Sequence, residues 1–448
     1  MKFCAIIPRL KNILRKKDVF FYMTSLLETA FALFAGLFMT RVFKILGFKF
    51  PDVTAFLIAG VCVGPYVLGK YNLGFSTAQD LANVGILSNI ALGFIAFDIG
   101  NEFSLGRLKT MGKAATFIGI FQAVITTLLV DLVLVSLSLY LGSDILPLPV
   151  AITLGAIAAA TAPAATLMVV RQFKAKGPVT DLLLPIVALD DAAGLVIFAV
   201  SIGLAQALIG GSVNIISIIV NPLLEIICSL ALGTFMGFVL TEIEKLFFSN
   251  TNRLSMTIAF VLMTIALSSQ KFEFGSVKIG FSALLVCMML GTTFCNLSEY
   301  SHDIMKRSEK WSAPLYAVFF VLSGARLELS VFQYVPIVII GAVYIITRCV
   351  GKYIGALWSS SIMNCSSNVK KYLGITLFPQ AGVALGMVVN SQVLGTEMAG
   401  LIRNIILFSV LIYELVGPML TRISLTKAGE IEPALPEHVH RARFKKVS

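Results

Sequence analysis

Residues 178–208 read PVTDLLLPIVALDDAAGLVIFAVSIGLAQAL, an apolar run that carries two adjacent aspartates, Asp190 and Asp191, near its middle. About 20 apolar residues suffice for an α-helix to cross a hydrocarbon core of ~30 Å, so this run predicts a membrane-spanning helix. A charged side chain at mid-membrane costs at least about 2.5–3.5 kcal/mol. Two carboxylates that persist there are expected to bind a proton, a cation or a basic side chain, and they are the first candidates for a functional site.

The composition of the whole chain fits this prediction. Of its 448 residues, 57% are hydrophobic and only 13% are charged, whereas soluble proteins are about one quarter charged. The mean hydropathy is +0.90, and long apolar runs recur from end to end without a long polar stretch between them. The sequence therefore predicts an all-α polytopic membrane protein with a single membrane domain.

We predict about thirteen membrane-spanning helices, joined by short connections that often contain Pro, Gly or Asn. They divide the chain into a basic N-terminal segment (1–19), a membrane domain (20–421) and a short tail (422–448). The predicted spans are 20–43, 52–69, 82–101, 111–141, 148–171, 178–208, 216–247, 254–269, 278–295, 311–325, 331–358, 371–394 and 399–421.

Basic residues decide the predicted orientation. The net charge is +11, and Lys and Arg concentrate in the tails and in the loops on one side of the membrane. Cytoplasmic loops carry such an excess, so we expect a cytoplasmic C-terminus in a cell membrane of the bacterial plasma type, and no nucleic-acid partner. An odd number of helices would place the N-terminus outside, in conflict with the basic segment 1–19. Either the internal loops outweigh that segment, or one helix is miscounted.

Metal and enzyme chemistry find little support in the sequence. The seven cysteines form no Cys-x-x-Cys pair, and most lie in apolar runs, where Cys behaves as a small hydrophobic residue. The three histidines, His302, His438 and His440, fall in loops or in the tail. We therefore expect neither an enzyme nor a bound cofactor.

Two of the predicted spans are interrupted, the fifth at Pro163 and the twelfth at Pro379. Proline removes a helical hydrogen bond, and unwound backbone is tolerated at membrane depth where it lines a cavity or is buried in protein. Broken helices at corresponding places in two halves indicate inverted repeats and a transport site near the midplane, although two ordinary proline kinks are the alternative. The predicted repeats are about 20–208 and 254–421, with a linker helix at about 216–247.

Two basic residues also lie within a predicted span. Arg348 and Lys352 stand four residues apart in the eleventh span, hence on one helix face. A buried Lys loses its charge readily when unpaired and Arg does not, so Lys352 suits a pairing that breaks and re-forms, and Arg348 a permanent bridge. Static bridges that only hold helices together are the alternative. The other acidic residues in spans are expected to be satisfied structurally or to lie near the interface, namely Glu28, Asp131, Glu225 and Glu414.

Further motifs accompany the broken spans, the paired aspartates and the basic pair. They are Gly60-Val61-Cys62-Val63-Gly64-Pro65, Gly100-Asn101-Glu102-Phe103 with Leu105 and Arg107, Gly351 in Arg348-x-x-Gly351-Lys352, and Gln380 with Gly382. In order and spacing, all these features together resemble the sodium/proton antiporters of the monovalent cation:proton antiporter-2 family across most of the chain. The resemblance departs at the fifth-span break, which lacks the acidic residue of some relatives. The tail is also too short for the nucleotide-binding regulatory domain of ligand-gated potassium-efflux relatives.

The resemblance implies a core domain that slides against a dimerising scaffold, and therefore a homodimer. It places ion binding where the two broken helices cross. By this resemblance Asp191 would bind the Na⁺ ion, and Asp190 would pair with Lys352. Thr161, Ala162 and Gln380 would line the crossing.

The resemblance also implies an acidic partner for Arg348. Glu102 would be that partner, with Asp98, one helical turn earlier, as the rival.

The expected activity is the exchange of a monovalent cation, Na⁺ in the first place, for H⁺ by alternating access. Exchange is electrogenic if Lys352 releases a second proton when the cation draws Asp190 away. The alternatives are a potassium/proton antiporter or a potassium-efflux pathway of channel type. The tandem aspartates, the basic pair and the helix count argue against a sodium-coupled organic-anion symporter.

Overall fold

The computed structural model describes residues 6–47, 50–71, 74–100, 103, 105–209, 215–270, 272–274, 277–327 and 334–431. Over these residues the fold is helical apart from one short antiparallel hairpin, β1 (Phe272–Phe274) and β2 (Val277–Ile279). The helices are α1 (Ile6–Ile45), α2 (Asp52–Val63), α3 (Ala78–Asn83), α4 (Gly85–Gly100), α5 (Leu105–Leu141), α6 (Leu148–Ile157), α7 (Pro163–Gln172), α8 (Pro178–Leu208), α9 (Ile215–Glu244), α10 (Asn250–Ser268), α11 (Ala283–Leu297), α12 (Ser301–Ala325), α13 (Val335–Ile362), α14 (Ser367–Thr376), α15 (Gly382–Asn390) and α16 (Thr396–Lys427).

The predicted all-α membrane architecture is confirmed. Among the described residues, eight helices are long and apolar enough to cross a membrane by length and composition, and further apolar helices are shorter. Each of the thirteen predicted spans coincides with one helix or with an interrupted pair, α6 with α7 and α14 with α15. The protein is therefore a multi-pass membrane protein.

Some predicted boundaries are wrong, for identifiable reasons. The ninth span was expected from residue 278, but 277–279 belong to β2 and α11 begins only at Ala283, where Ser282 caps it. The tenth was expected from residue 311, but α12 begins at Ser301. Hydropathy marks only the apolar part of a helix, and the first turns of α12 are polar. The first span was expected from residue 20, but α1 is continuous from Ile6 and so includes most of the predicted basic segment 1–19.

The two interruptions follow from local backbone chemistry. The residue before a proline disfavours helical geometry, and Ala162, before Pro163, is extended at φ −90° and ψ 104°. Pro163 then occupies the first turn of α7, where its missing N–H costs nothing. At the second break α14 ends before Pro379, and α15 starts at Gly382.

Close helix crossings repeat in the two halves of the chain. A Cβ added at Gly60 on α2 would lie 2.1 Å from the carbonyl oxygen of Val321 on α12. A Cβ added at Gly291 on α11 would lie 2.1 Å from that of Phe97 on α4. The reciprocal contacts hold as well, with Gly324 against Leu57 and Gly100 against Met288, each also at 2.1 Å. Thus α2 packs on α12 in the same way as α11 packs on α4. This pattern is expected if α2 is equivalent to α11, and α4 to α12, in two repeats.

The two layers of the fold bring the interrupted helices together. Helices α2, α4, α11 and α12 pack through these glycine crossings, and α1 and α10 lie against them. On the other side α5 packs on α13, and α6, α7, α8, α14, α15 and α16 gather around the breaks. The unwound segments are thereby enclosed by protein, as membrane-depth backbone requires.

Candidate functional site at the helix crossing

The two interrupted helices meet at their breaks. The backbone N–H of Ala162 donates to the carbonyl oxygen of Pro379 at 2.8 Å. Gln380 is fully buried, and its Nε2 donates to the carbonyl of Ile157, the last residue of α6, at 2.8 Å. The hydroxyl of Tyr344 on α13 donates to Gln380 Oε1 at 3.3 Å. Residues of each break therefore form hydrogen bonds with backbone groups of the other break that have no partner within their own helix.

A buried ion pair stands beside this crossing. Lys352 Nζ on α13 lies 2.8 Å from Asp190 Oδ2 on α8, and both side chains are fully buried. Lys352 Nζ also donates to Thr161 Oγ1 at 2.9 Å and to the carbonyl of Ala159 at 2.5 Å. These three contacts match the three N–H donors of a charged ammonium group. The sequence-predicted Asp190, Lys352 and Thr161 are thus brought together.

Both oxygens of Asp190 have partners. Oδ2 accepts a hydrogen bond from Thr161 Oγ1 at 2.5 Å in addition to the lysine. Oδ1 accepts a short hydrogen bond from Nε2 of Gln122 on α5. The carboxylate therefore belongs to a satisfied polar network, which a low-dielectric interior makes both strong and expensive to disturb.

Sequence reasoning missed Gln122, although a signal was present. Gln122 is a lone amide in the apolar stretch of α5, and it is fully buried. Two glycines bring it near the lysine, because a Cβ at Gly355 of α13 would lie 2.8 Å from Cα of Gln122 and one at Gly351 would lie 2.9 Å from Cα of Thr126. The small residues flanking Lys352 thus set the distance between α5 and α13.

Arg348 binds backbone carbonyls at both breaks. Its guanidinium donates to Ala158 O at 2.9 Å, Ala160 O at 2.6 Å and Phe378 O at 2.7 Å, and it stacks 4.6 Å from the ring centroid of Tyr413. These carbonyls follow the C-terminal ends of α6 and α14, which carry partial negative charge. One fully buried cation therefore compensates two helix ends.

The alternative expectation, that Asp98 rather than Glu102 pairs with Arg348, is wrong. Asp98 Oδ2 accepts from Arg171 NH1 on α7 at 2.6 Å, and the hydroxyl of Tyr316 donates to the same oxygen. Arg348 takes three carbonyl partners instead, and sequence patterns cannot display these because every residue has a carbonyl. Glu102, the other proposed partner, lies outside the described residues.

Asp191 is placed by its backbone alone, since its side chain lies outside the part that the structure describes. It is in α8, three residues before Gly194, and residues three apart share a helix face. A Cβ at Gly194 would meet Met387 Cε of α15 at 3.4 Å and the backbone N of Ala160 at 3.9 Å. The helix face that includes position 191 is thus the face next to the breaks.

Comparison with known proteins identifies the family. Residues 29–423 match the family described as the sodium/hydrogen exchanger, transmembrane. This chain belongs to that family. The exchanger family consists of antiporters rather than enzymes, and cation:proton exchange is its shared activity.

Solved structures support the exchanger fold. Two structures of the sodium proton antiporter MjNhaP1 from Methanocaldococcus jannaschii superpose with TM-scores of 0.62 and 0.70. The first, determined at pH 8, is 19% identical and the match covers 91% of this chain and 97% of that one. The second is 18% identical, with 92% and 99% covered. At such identity the likeness shows the fold alone.

The names of curated relatives of this chain specify different cations. The Na⁺/H⁺ antiporter NhaS4 of Synechocystis is 24% identical over 73% of this chain and 80% of its own length. The K⁺/H⁺ antiporter subunit KhtU of Bacillus subtilis is 22% identical over 84% and 88%. The ammonium/H⁺ antiporter subunit AmhT of Alkalihalophilus pseudofirmus is 22% identical over 72% and 78%. Cation/proton exchange is common to them, and the cation is not.

Proposed function

We propose that this protein exchanges Na⁺ for H⁺ by alternating access, with the ion bound beside the crossing of the broken helices. The observation that carries the proposal is the fully buried pair of Asp190 and Lys352, hydrogen-bonded to the unwound segment at Thr161. Ionised groups at such depth are costly and mark ion and proton pathways. Broken helices at a repeat interface are where transporters bind their ions.

In this proposal Asp191 is the carboxylate that binds either Na⁺ or H⁺. Burial disfavours the charged form of a carboxylate, so a proton competes with the cation for it. Because the two ligands exclude each other, movement of one in one direction enforces return of the other. Oxygens of the unwound segment, including Thr161, would complete the coordination of a hard cation together with water.

Asp190 and Lys352 form the second, coupled element. A bound cation that draws the Asp190 carboxylate away removes the ionic partner of Lys352. An unpaired buried ammonium then loses its proton readily. Two protons would move for each Na⁺, and the exchange would be electrogenic.

Arg348 is a fixed counter-charge in this scheme. It holds carbonyls of both broken helices. It therefore keeps the crossing intact while the neighbouring lysine and aspartates change charge. The site can then move as one body in a homodimer whose C-termini face the bacterial cytoplasm.

The second candidate is a potassium/proton antiporter or a potassium-efflux pathway of channel type. It is favoured by the names of relatives, which include a K⁺/H⁺ antiporter subunit that matches 84% of this chain. The crossing has the same chemistry for either cation, because discrimination by size depends on distances among coordinating oxygens.

The test is proton exchange by purified protein in proteoliposomes. An imposed ΔpH is followed by fluorescence dequenching while Na⁺, Li⁺, K⁺ or NH₄⁺ is added across a range of pH. Na⁺ should dissipate ΔpH at the lowest concentration, and Asp191→Asn should abolish the response. Full activity of Asp191→Asn would overturn the site, and a response to K⁺ but not to Na⁺ would favour the second candidate.

A further inference from the structure

One buried carboxylate at the crossing has no role in the scheme above. Glu414 on α16 is 7% exposed, and its Oε2 is buried without a hydrogen-bond partner within the described residues. Three residues later on the same helix face, Gly417 packs 3.0 Å from Pro379 as measured to an added Cβ. Sequence reasoning expected Glu414 to be structurally satisfied or near the interface, and the unpartnered oxygen contradicts the first of these.

Glu414 opens into a cavity of about 300 Å³ between the two layers of the fold. One wall is formed by the unwound segments and the first residues of α7 and α15, including Pro163 and Gly382. Ser88 and Asn89 of α4 and Ser323 of α12 also line the cavity, among mostly apolar side chains. The cavity is large enough for a cation with several waters.

The cations around Glu414 have other partners. Arg326, which also lines the cavity, donates to the carbonyl of Leu81 at 3.4 Å. Arg171 on α7 pairs with Asp98, and Arg348 and Lys352 on α13 hold the carbonyls and Asp190 described above. Among the described residues, none of these cations forms an ion pair with Glu414. The cavity lined by Glu414 also contains the first residues of α7 and α15, whose helix ends carry partial positive charge, and the side chain of Arg326.

We propose that Glu414 binds the transported monovalent cation in this cavity, as a second ion-binding site before the crossing. The proposal rests on the proposed exchange function and adds a second ion-binding site to the transport path. The donor set consists of a carboxylate with hydroxyl, amide and water oxygens, which suits a hard cation. Asp190 cannot take this role in the present state because both of its oxygens are engaged. Glu414 lines the cavity that leads to the breaks, and its buried Oε2 has no hydrogen-bond partner among the described residues.

Binding is tested first by thermal unfolding of purified protein over a Na⁺ titration, since a ligand of the native state raises Tm. With the crossing site disabled by Asp191→Asn, Na⁺ should still raise Tm. Adding Glu414→Gln should abolish that rise, and Glu414→Asp, which keeps the carboxylate, should retain it. A rise that persists in the Asp191→Asn/Glu414→Gln variant, or one already lost in Asp191→Asn alone, overturns the site.

Transport separates this inference from the proposed function. Exchange by the wild type tests the proposed function, and Glu414→Gln tests the second ion-binding site. We expect Glu414→Gln to keep pH-dependent exchange but to raise the Na⁺ concentration for half-maximal rate about tenfold, as loss of one charge-assisted contact predicts. Ser409→Ala is the matched control and should match the wild type, because Ser409 is on the same helix and its hydroxyl donates to the carbonyl of Ile405. An unchanged Na⁺ dependence in Glu414→Gln, with or without a shifted pH profile, overturns the cation site.

Discussion

Replacement of Lys352 by methionine should destabilise the protein strongly, and the reason lies in Asp190. The two charges are 2.8 Å apart, which corresponds to a Coulomb attraction of about 6 kcal/mol at an effective dielectric of about 20. Lys352→Met leaves Asp190 fully buried with, among the described residues, Thr161 and Gln122 as its side-chain partners. Removing one partner of a buried pair typically costs about 3–5 kcal/mol. We expect a loss of that size in the free energy of unfolding.

The matching double variant distinguishes a lost ion pair from lost packing. Asp190→Asn in the Lys352→Met background removes the orphaned charge, so the double variant should be more stable than Lys352→Met alone. Tm in detergent and denaturant unfolding of the four proteins complete a double-mutant cycle, with a coupling energy of about 2 kcal/mol or more. Additive effects of the two substitutions, or an unchanged Tm in Lys352→Met, would contradict a stabilising ion pair between Lys352 and Asp190.

Two further substitutions test the scaffold that holds the site. Gly60→Ala should lower the free energy of unfolding by about 1–3 kcal/mol, because its Cβ would meet the Val321 carbonyl at 2.1 Å. Gly112→Ala, with open space around it, is the control and should be neutral. Equal Tm values for the two variants would contradict the close crossing. Glu430→Ala should lower the free energy of unfolding by about 1–2 kcal/mol and lower exchange activity. The Glu430 carboxylate accepts hydrogen bonds from the N–H groups of Val179 and Thr180 at the start of α8, at 2.6 and 2.8 Å. Denaturant unfolding measures the cost, and stability equal to Thr426→Ala, an exposed position on the last helix, would show that the cap is unimportant.

Features that depend on residues close together in the chain could be predicted from the sequence. Thirteen apolar spans and two proline breaks follow from hydropathy and from backbone chemistry, and the structure has a helix or a broken pair at each. The face shared by Arg348 and Lys352 follows from their spacing. The pairing of Lys352 with Asp190 came from family resemblance, since two charges 162 positions apart in the chain carry no local sign of contact.

What the sequence could not predict depends on the backbone and on helix spacing. Arg348 binds three carbonyl oxygens, which a search for an acidic partner such as Asp98 could not find. Gln122 of α5 binds Asp190 of α8, and glycines on α13 bring α5 close to Lys352; both depend on how helices distant in the chain are spaced. Glu430 caps α8 from the far end of the chain, a contact that only the assembled helices create.

The most direct test of the central claim is proton movement driven by a Na⁺ gradient alone. Proteoliposomes loaded with Na⁺ are diluted into Na⁺-free medium of the same pH, with the membrane potential clamped by K⁺ and valinomycin. Coupled exchange predicts that Na⁺ efflux acidifies the lumen, and that Asp191→Asn abolishes this acidification. Na⁺ efflux from the wild type without any change in luminal pH would contradict exchange and would indicate an uncoupled cation pathway.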